Sequence, residues 1–219
     1  MKLNILKNLD LQEILSSLRN KNTETTHFRR HLRTAGYLMT HEIISKECSV
    51  EKTKVKSPLG TAISYGIKEK ILQIMVMRAG EPFADGGVKL LDELNAKRSI
   101  GVIDAKRIES SNKAGKEFDI EMNSFKVPKF DKNTVIIVYD PMLGTASTLI
   151  EILKILKKQG KPKKIIFCNI LAVTYGINKL KKLFPELIVY TLSVDKKLNT
   201  NGYIVPGLGD CGDRAFGSY

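Results

Sequence analysis

Nine consecutive residues carry the clearest chemistry in this chain: Asp140, Pro141, Met142, Leu143, Gly144, Thr145, Ala146, Ser147 and Thr148. They follow the apolar run Thr134 to Tyr139, which reads as a buried strand, and lead into Ala146 to Gln159, which reads as a helix. In a strand–loop–helix unit the first amides of the helix point into the loop, and the helix dipole favours an anion there. Thr145, Ser147 and Thr148 add hydroxyl donors, and Asp140 at the strand end can accept from two neighbouring hydroxyls, as on a ribose. Such a loop would cradle a phosphate beside a sugar-binding acid. It is not a Walker loop, because the G-x-x-x-x-G-K-[ST] spacing is absent. The same residues also fit a plain helix N-cap by Thr145 or Ser147 with an incidental aspartate. Residue types alone do not choose between the two.

A second stretch runs from Gly202 to Arg214 as Gly-Tyr-Ile-Val-Pro-Gly-Leu-Gly-Asp-Cys-Gly-Asp-Arg. Gly207, Gly209 and Gly212 match the letters of the dinucleotide fingerprint, but only seven residues follow Gly212, too few for the helix, strand and acid that fingerprint needs. A loop whose backbone comes close to a small ligand is the better reading. Asp210, Asp213 and Arg214 speak against an inert tail.

Covalent and metal chemistry find little support. No histidine occurs in residues 42 to 219, and His27 and His31, four apart, have no evident third ligand. Three separated cysteines, Cys48, Cys168 and Cys211, form no C-x-x-C pair, so neither a disulfide framework nor structural zinc is expected. The formal charge is +13, with lysines crowded between Lys154 and Lys182. The plain reading is a solvated face with a lysine bias; the functional ones are steering of polyanionic small molecules and binding of nucleic acid. Few aromatics interleave the lysines, so a nucleic-acid platform is not expected. No apolar run reaches the roughly 18–20 residues that span a bilayer, and the first ten residues alternate too quickly for a signal peptide, so the expected place is the cytoplasm.

The elements that must position these residues alternate. An amphipathic stretch runs from Leu9 to Leu18, and a longer helix starts after Asn22 or Thr23, its apolar face built from Phe28, Leu32, Ala35, Met39 and Ile43 and its opposite face from Arg29, Arg30 and Arg33. Ile71 to Met77 reads as a strand buried on both faces, followed by a turn at 78–82 and a helix from Asp85 to Asn95. Strands are expected at Ile100 to Ile103, Lys164 to Ala172 and Leu187 to Thr191, with a helix at Ile177 to Phe184. Residues 105 to 133 read as polar and irregular with one strand or hairpin arm near Glu117 to Met122, and the tail from Leu198 reads as irregular. The alternation argues for an α/β fold with a central parallel sheet flanked by helices.

Over nearly its whole length the chain resembles the uracil phosphoribosyltransferases. Their loop for phosphoribosyl pyrophosphate (PRPP), D-P-M-[LI]-A-T-G-G-S, appears as Asp140 to Thr148, with an Ala-Ser-Thr ending most like the archaeal members. Their terminal signature, G-Y-[IL]-[VIL]-P-G-L-G-D-A-G-D-R, runs from Gly202 to Arg214 with Cys211 for alanine. L-R-A-G appears as Met77-Arg78-Ala79-Gly80, and an N-terminal L-R-[DN] as Leu18-Arg19-Asn20. The resemblance implies a type I phosphoribosyltransferase fold, one domain over 1–219, a hood from about 1–25 and 198–219, and a flexible arm within 105–133. It implies that Arg78 and Arg107 bind the pyrophosphate of PRPP, that residues 140 to 148 hold the ribose and 5′-phosphate, and that Asp210 contacts PRPP. Ile204, Gly209, Asp210 and Cys211 would pair with uracil through their backbone. Mg²⁺ would arrive with PRPP, and a homodimer or homotetramer would be the working form. GTP is the implied activator, with Arg30 and Arg33 as its site.

The competing reading is a phosphoribosyltransferase fold kept as an RNA-binding regulator of pyrimidine metabolism. The loop separates them. Ala146 and Ser147 stand where most of the family has glycine, and both are expected to begin a right-handed helix, leaving Gly144 the one residue free to adopt an unusual conformation. Positive φ at Ala146 or Ser147 would mark a degraded cradle and favour the regulator.

Overall fold

The computed structural model describes residues 1–108 and 117–218. In chain order the elements are β1 (Lys2–Ile5), α1 (Leu9–Arg19), α2 (Thr25–Glu47), β2 (Val50–Ser57), β3 (Gly60–Ile67), β4 (Lys70–Met77), α3 (Gly80–Glu93), β5 (Arg98–Ile108), β6 (Asp119–Lys126), β7 (Thr134–Tyr139), β8 (Met142–Leu143), α4 (Ser147–Gln159), β9 (Lys164–Cys168), β10 (Leu171–Val173), α5 (Thr174–Leu183), β11 (Ile188–Thr191), β12 (Ser193–Asp195), β13 (Lys197–Leu198), β14 (Ile204–Val205) and α6 (Cys211–Phe216).

The main sheet has the order β1-β11-β9-β7-β4-β5-β6, parallel throughout except for the antiparallel pair β5–β6. Every residue of its middle strand, β7, is buried, so its run of Val and Ile faces core on both sides. Alternation divides that run. Val135, Ile137 and Tyr139 face one core with α1, α2 and α3, while Ile136 and Val138 face a second core with α4 and α5. On the first face α2 and α3 approach backbone to backbone. A Cβ at Gly36 would collide with the carbonyl of Phe83, and one at Gly86 with that of Arg33. The chain leaves β4 for β5 on one side and returns to β7 on the other. The carboxyl ends at such a reversal open a crevice, which is where ligands of open α/β sheets bind.

Several boundaries depart from expectation. α3 starts at Gly80, because Pro82 falls in its first turn, where the missing N–H costs nothing. Residues 164–172 are not one strand. Asn169 turns the chain by donating its backbone N–H and its side-chain amide to the Tyr190 carbonyl, at 2.9 and 3.0 Å. β10 then leaves the main sheet to pair with β8 and β12. β5 runs on to Ile108 and pairs with β6 across an irregularity at Asp104/Ala105, so the described residues of 105–133 are more regular than their polarity suggests. The tail contains the β13–β14 pair and α6. The ribbon β2–β3 is mostly exposed, with Leu59, Ile63 and Tyr65 in solvent, so no burial pattern marks it. Residues 109–116, within the expected arm, lie outside the described residues. No helix among the described residues is long and apolar enough to cross a membrane.

Candidate active site

A cavity of about 240 Å³ opens at the carboxyl ends of β4, β5 and β7. β4 delivers Met77 and Arg78, β5 delivers Ala105 and Arg107, and β7 delivers Asp140. Met142, Leu143, Gly144, Thr145, Ala146, Ser147 and Thr148 form one wall, and Ile204, Gly209, Asp210 and Cys211 another. Two stretches some sixty residues apart in sequence therefore share one space with both arginines. Pro141 is the exception in its loop. It does not line the cavity, and its carbonyl accepts the amides of Ile170 and Leu171 at 2.9 and 3.0 Å. Gly202, Tyr203, Gly212, Leu149 and Phe167 also line the space, though the sequence reading gave none of them a role in the site. The glycines and Tyr203 flank residues that were recognised, while Leu149 and Phe167 read as ordinary core.

The loop 140–148 closes on itself. Asp140 Oδ1 accepts the Met142 amide at 3.2 Å. Burial lifts the Asp140 carboxyl to about 6, opposed by that amide and by the charge of Arg107. Thr145 Oγ1 accepts the Ser147 amide at 3.3 Å and lies 3.0 Å from the Ser147 hydroxyl. Ser147 Oγ also accepts the Phe118 amide at 3.3 Å, which ties the loop to the start of β6. Arg107 stacks over the Phe118 ring at 5.2 Å.

The helix was expected to open with Ala146 and Ser147; it begins at Ser147, and Ala146 does not belong to it. Ala146 is the N-cap residue, with φ 65° and ψ 5°, and Gly144 has no positive φ. Folding the Thr145 side chain back onto the Ser147 amide turns the chain within one residue, and that residue takes the left-handed conformation. For alanine the cost is roughly 1–2 kcal/mol. Strain of this size persists where the surroundings impose it, often at functional sites.

Arg78 has partners already. Its Nη2 donates to Asp213 Oδ1 at 2.8 Å and its Nη1 to Ser218 Oγ at 3.2 Å, so the arginine of one wall is held by the helix α6 of the other. The Met77–Arg78 peptide bond is cis. Asp210 caps α6 by accepting the Asp213 amide at 2.9 Å. Cys211 is buried, and burial together with the charges of Asp140 and Asp210 pushes its thiol well up, so it stays protonated. Arg214 is buried too. It donates to the carbonyls of Leu18, Leu208 and Asn20 at 2.5, 2.7 and 2.6 Å and lies 4.3 Å over the Phe28 ring.

Arg30 and Arg33 do not line the cavity, and Arg33 Nε pairs with Asp85 Oδ2 at 2.9 Å. Several cations of the lysine-rich region are paired. Lys154, Lys157, Lys163, Lys164 and Lys179 pair with Glu151, Glu186, Glu69, Glu47 and Glu117.

A parallel sheet with this crevice, a phosphate-type loop after its middle strand and helices on both faces is the type I phosphoribosyltransferase fold. Within that class the sequence decides. The family model for uracil phosphoribosyltransferase matches residues 5–218. A uracil phosphoribosyltransferase of Thermococcus sibiricus is 42% identical over 95% of this chain and 86% of its own length. One of Methanococcus vannielii is 41% identical over 94% and 86%. The chain therefore belongs to the uracil phosphoribosyltransferase family of pentosyl-transferring enzymes, on its archaeal side. Among solved structures, the AQ2163 protein from Aquifex aeolicus matches 98% of this chain and 97% of its own with a TM-score of 0.88 at 25% identity.

Proposed function

We propose that the chain transfers the phosphoribosyl group of PRPP to uracil, giving UMP and pyrophosphate in pyrimidine salvage. The observation that carries this is the meeting of the 140–148 loop, the 204–211 loop, Arg78 and Arg107 on one cavity. In the reaction the bond from ribose C1 to pyrophosphate breaks and a bond from C1 to uracil N1 forms, while the N1 proton leaves to water or to the departing pyrophosphate. The residues act by placing reactants and meeting developing charge. The first amides of α4 and the hydroxyls of Thr145, Ser147 and Thr148 would take the 5′-phosphate, and Asp140 the ribose hydroxyls. Arg78 and Arg107 would meet the pyrophosphate, which enters as its Mg²⁺ complex and is substrate in that form. Asp210 would also contact PRPP. Backbone groups of Ile204 and of Gly209 to Cys211 would match the edge of uracil. Cytosine inverts that edge and leaves buried groups unpaired, which costs about 10⁴ in discrimination.

We read the whole chain as one cytoplasmic phosphoribosyltransferase domain with residues 1–25 and 198–219 as its hood, working as a dimer or tetramer. The test is an assay with PRPP, Mg²⁺ and each free base. UMP from uracil is expected, with cytosine, orotate and purines inactive or nearly so. Orotate or adenine as the preferred base would overturn the reading. Activation by GTP belongs to the same proposal. A triphosphate at Arg30 and Arg33 would have to displace Asp85, and an unchanged rate and thermal midpoint at millimolar GTP would remove it. A second reading, the RNA-binding regulator, gains weight from the left-handed Ala146 and the +13 charge. RNA binding with a steep salt dependence and no UMP formation would establish it instead.

A further inference from the structure

Leu18-Arg19-Asn20 ends α1, and none of the three residues lines the cavity. Arg19 grips Asp195 with both ends of its fork, Nη1 to Oδ2 at 2.7 Å and Nη2 to Oδ1 at 2.5 Å. Nη1 also donates to the carbonyl of Gly207 at 2.8 Å, and Asp195 Oδ2 accepts the Gly207 amide at 2.9 Å. The ion pair thus holds the two peptide groups on either side of one α-carbon, and between them those groups define the backbone angles of Gly207. That residue has φ 64°, and a Cβ on it would collide with the Ile204 carbonyl. Gly207 is the turn between Ile204 and the Gly209–Cys211 segment, both of which line the cavity.

The surroundings reinforce the grip. Asp195 is buried, and Ser193 Oγ, itself accepting from Arg19 Nη2 at 3.2 Å, donates to Asp195 Oδ1 at 3.1 Å. Burial alone would raise the Asp195 carboxyl, but Arg19, the Gly207 amide and Ser193 outweigh it and hold it low, so it remains a carboxylate. The carbonyls on either side of Arg19, those of Leu18 and Asn20, receive Arg214, which in turn holds the carbonyl of Leu208. Three residues of α1's end therefore fasten two consecutive residues of the loop.

We propose that Arg19 and Asp195 are positioning residues for base recognition, setting the separation of Ile204 from Gly209–Cys211 without touching substrate. A flat ring read by backbone on two sides needs that separation held closely, whereas the phosphate loop gains nothing from it. The inference rests on the uracil reading above. It requires a planar, two-point donor, which lysine cannot replace.

The experiment compares wild type with Arg19→Lys and with the isosteric Asp195→Asn. Uracil is varied at saturating Mg²⁺–PRPP and the reverse, Mg²⁺–PRPP binding is followed by calorimetry, and the thermal midpoint is recorded. The KM for uracil should rise about 10-fold or more in each variant, the loss of one charge-assisted hydrogen bond. PRPP binding should stay within about twofold, and the preference for uracil over cytosine should shrink. The double variant should be little worse than either single one, because the two residues act as a unit. If the midpoint falls while the KM for uracil stays put, the pair is merely structural and the inference is overturned. An equal loss of PRPP affinity would also overturn it. Should Arg19→Lys fail to fold, retained PRPP binding by Asp195→Asn carries the test. Wild type that makes no UMP would sink the functional reading, a different result from variants that leave the uracil KM unmoved.

Discussion

The two walls of the cavity are built on opposite plans. The phosphate-side loop makes its side-chain bonds nearly at home, from Asp140 to Met142 and from Thr145 to Ser147, with one outside contact at Phe118. The base-side loop is held from far away in sequence, by Arg19, Leu18 and Asn20. On the proposed reading, the difference follows from what each would recognise. An anion is met by the amides of a helix start, which the helix itself aligns, so one strand–loop–helix unit suffices. A planar base needs two segments of backbone at a set distance, and a loop rich in glycine cannot hold that distance alone. Local strain at Ala146 sits in the first plan and remote bracing in the second.

Arg78 is where the two plans meet, since it lines the cavity and donates to Asp213 of α6. Arg78→Ala should therefore have the largest effect, lowering turnover by about 10²–10³ as a lost preorganised donor does. Steady-state kinetics with both substrates check it, and near wild-type turnover would remove Arg78 from the site.

Asp140→Asn tests whether the phosphate-side loop trades stability for chemistry. A carboxyl raised to about 6 binds its proton more tightly in the folded chain than in the unfolded one. Its contribution to stability is full below the ordinary aspartate value of about 3.9 and is lost as pH rises through about 6. The amide should then raise the thermal midpoint at pH 7–8 relative to wild type and give no gain near pH 4. Activity should move the other way, with kcat/KM for PRPP down about 10- to 100-fold from the lost charged acceptor. Wild type itself should lose kcat/KM as pH falls below about 6, and the variant should not show that step. A variant less stable at pH 8, or a wild-type profile flat from pH 7 to 5, would contradict this.

The smallest effect is the most diagnostic of local strain. Ala146→Gly removes the left-handed penalty but adds some freedom to the unfolded chain, for a net gain of about 1 kcal/mol. That corresponds to a rise of about 2–4 °C in the midpoint for a chain of this size. Turnover should stay within about twofold, since the amides keep their places. A lower midpoint would mean that Ala146 is not strained in solution.

The phosphate-side wall was largely legible because its residues are contiguous and its elements are marked by periodicity. A helix ending at Gln159 and the buried strand Thr134–Tyr139 both follow from pattern alone. The backbone of Ala146 did not, because propensity favours the helix and only the closure from Thr145 to Ser147 overrides it. On the base side the terminal signature was visible, but what holds it was not. Nothing local pairs Arg19 with Asp195 or ties Arg78 to Asp213. Likewise β1 owes its place to β11 at the other end of the chain, and the split between β9 and β10 depends on Asn169 reaching the Tyr190 carbonyl. In each case the partner lies far away in sequence, where periodicity carries no information.

The bonds from Arg214 to the carbonyls of Leu18 and Asn20 have a consequence in time. They join residues nearly two hundred positions apart, so the loop between them can close only after the intervening sheet has drawn the ends together. Contacts of such separation form late, since the entropy of closure must be met before they stabilise anything. During refolding the phosphate-side unit should acquire hydrogen-exchange protection first, and the amides of Lys2 and Leu6, which bond to Leu187 and Thr191 near the other end of the chain, later. A chain caught midway would have the means to hold a phosphate before it had any means to choose a base.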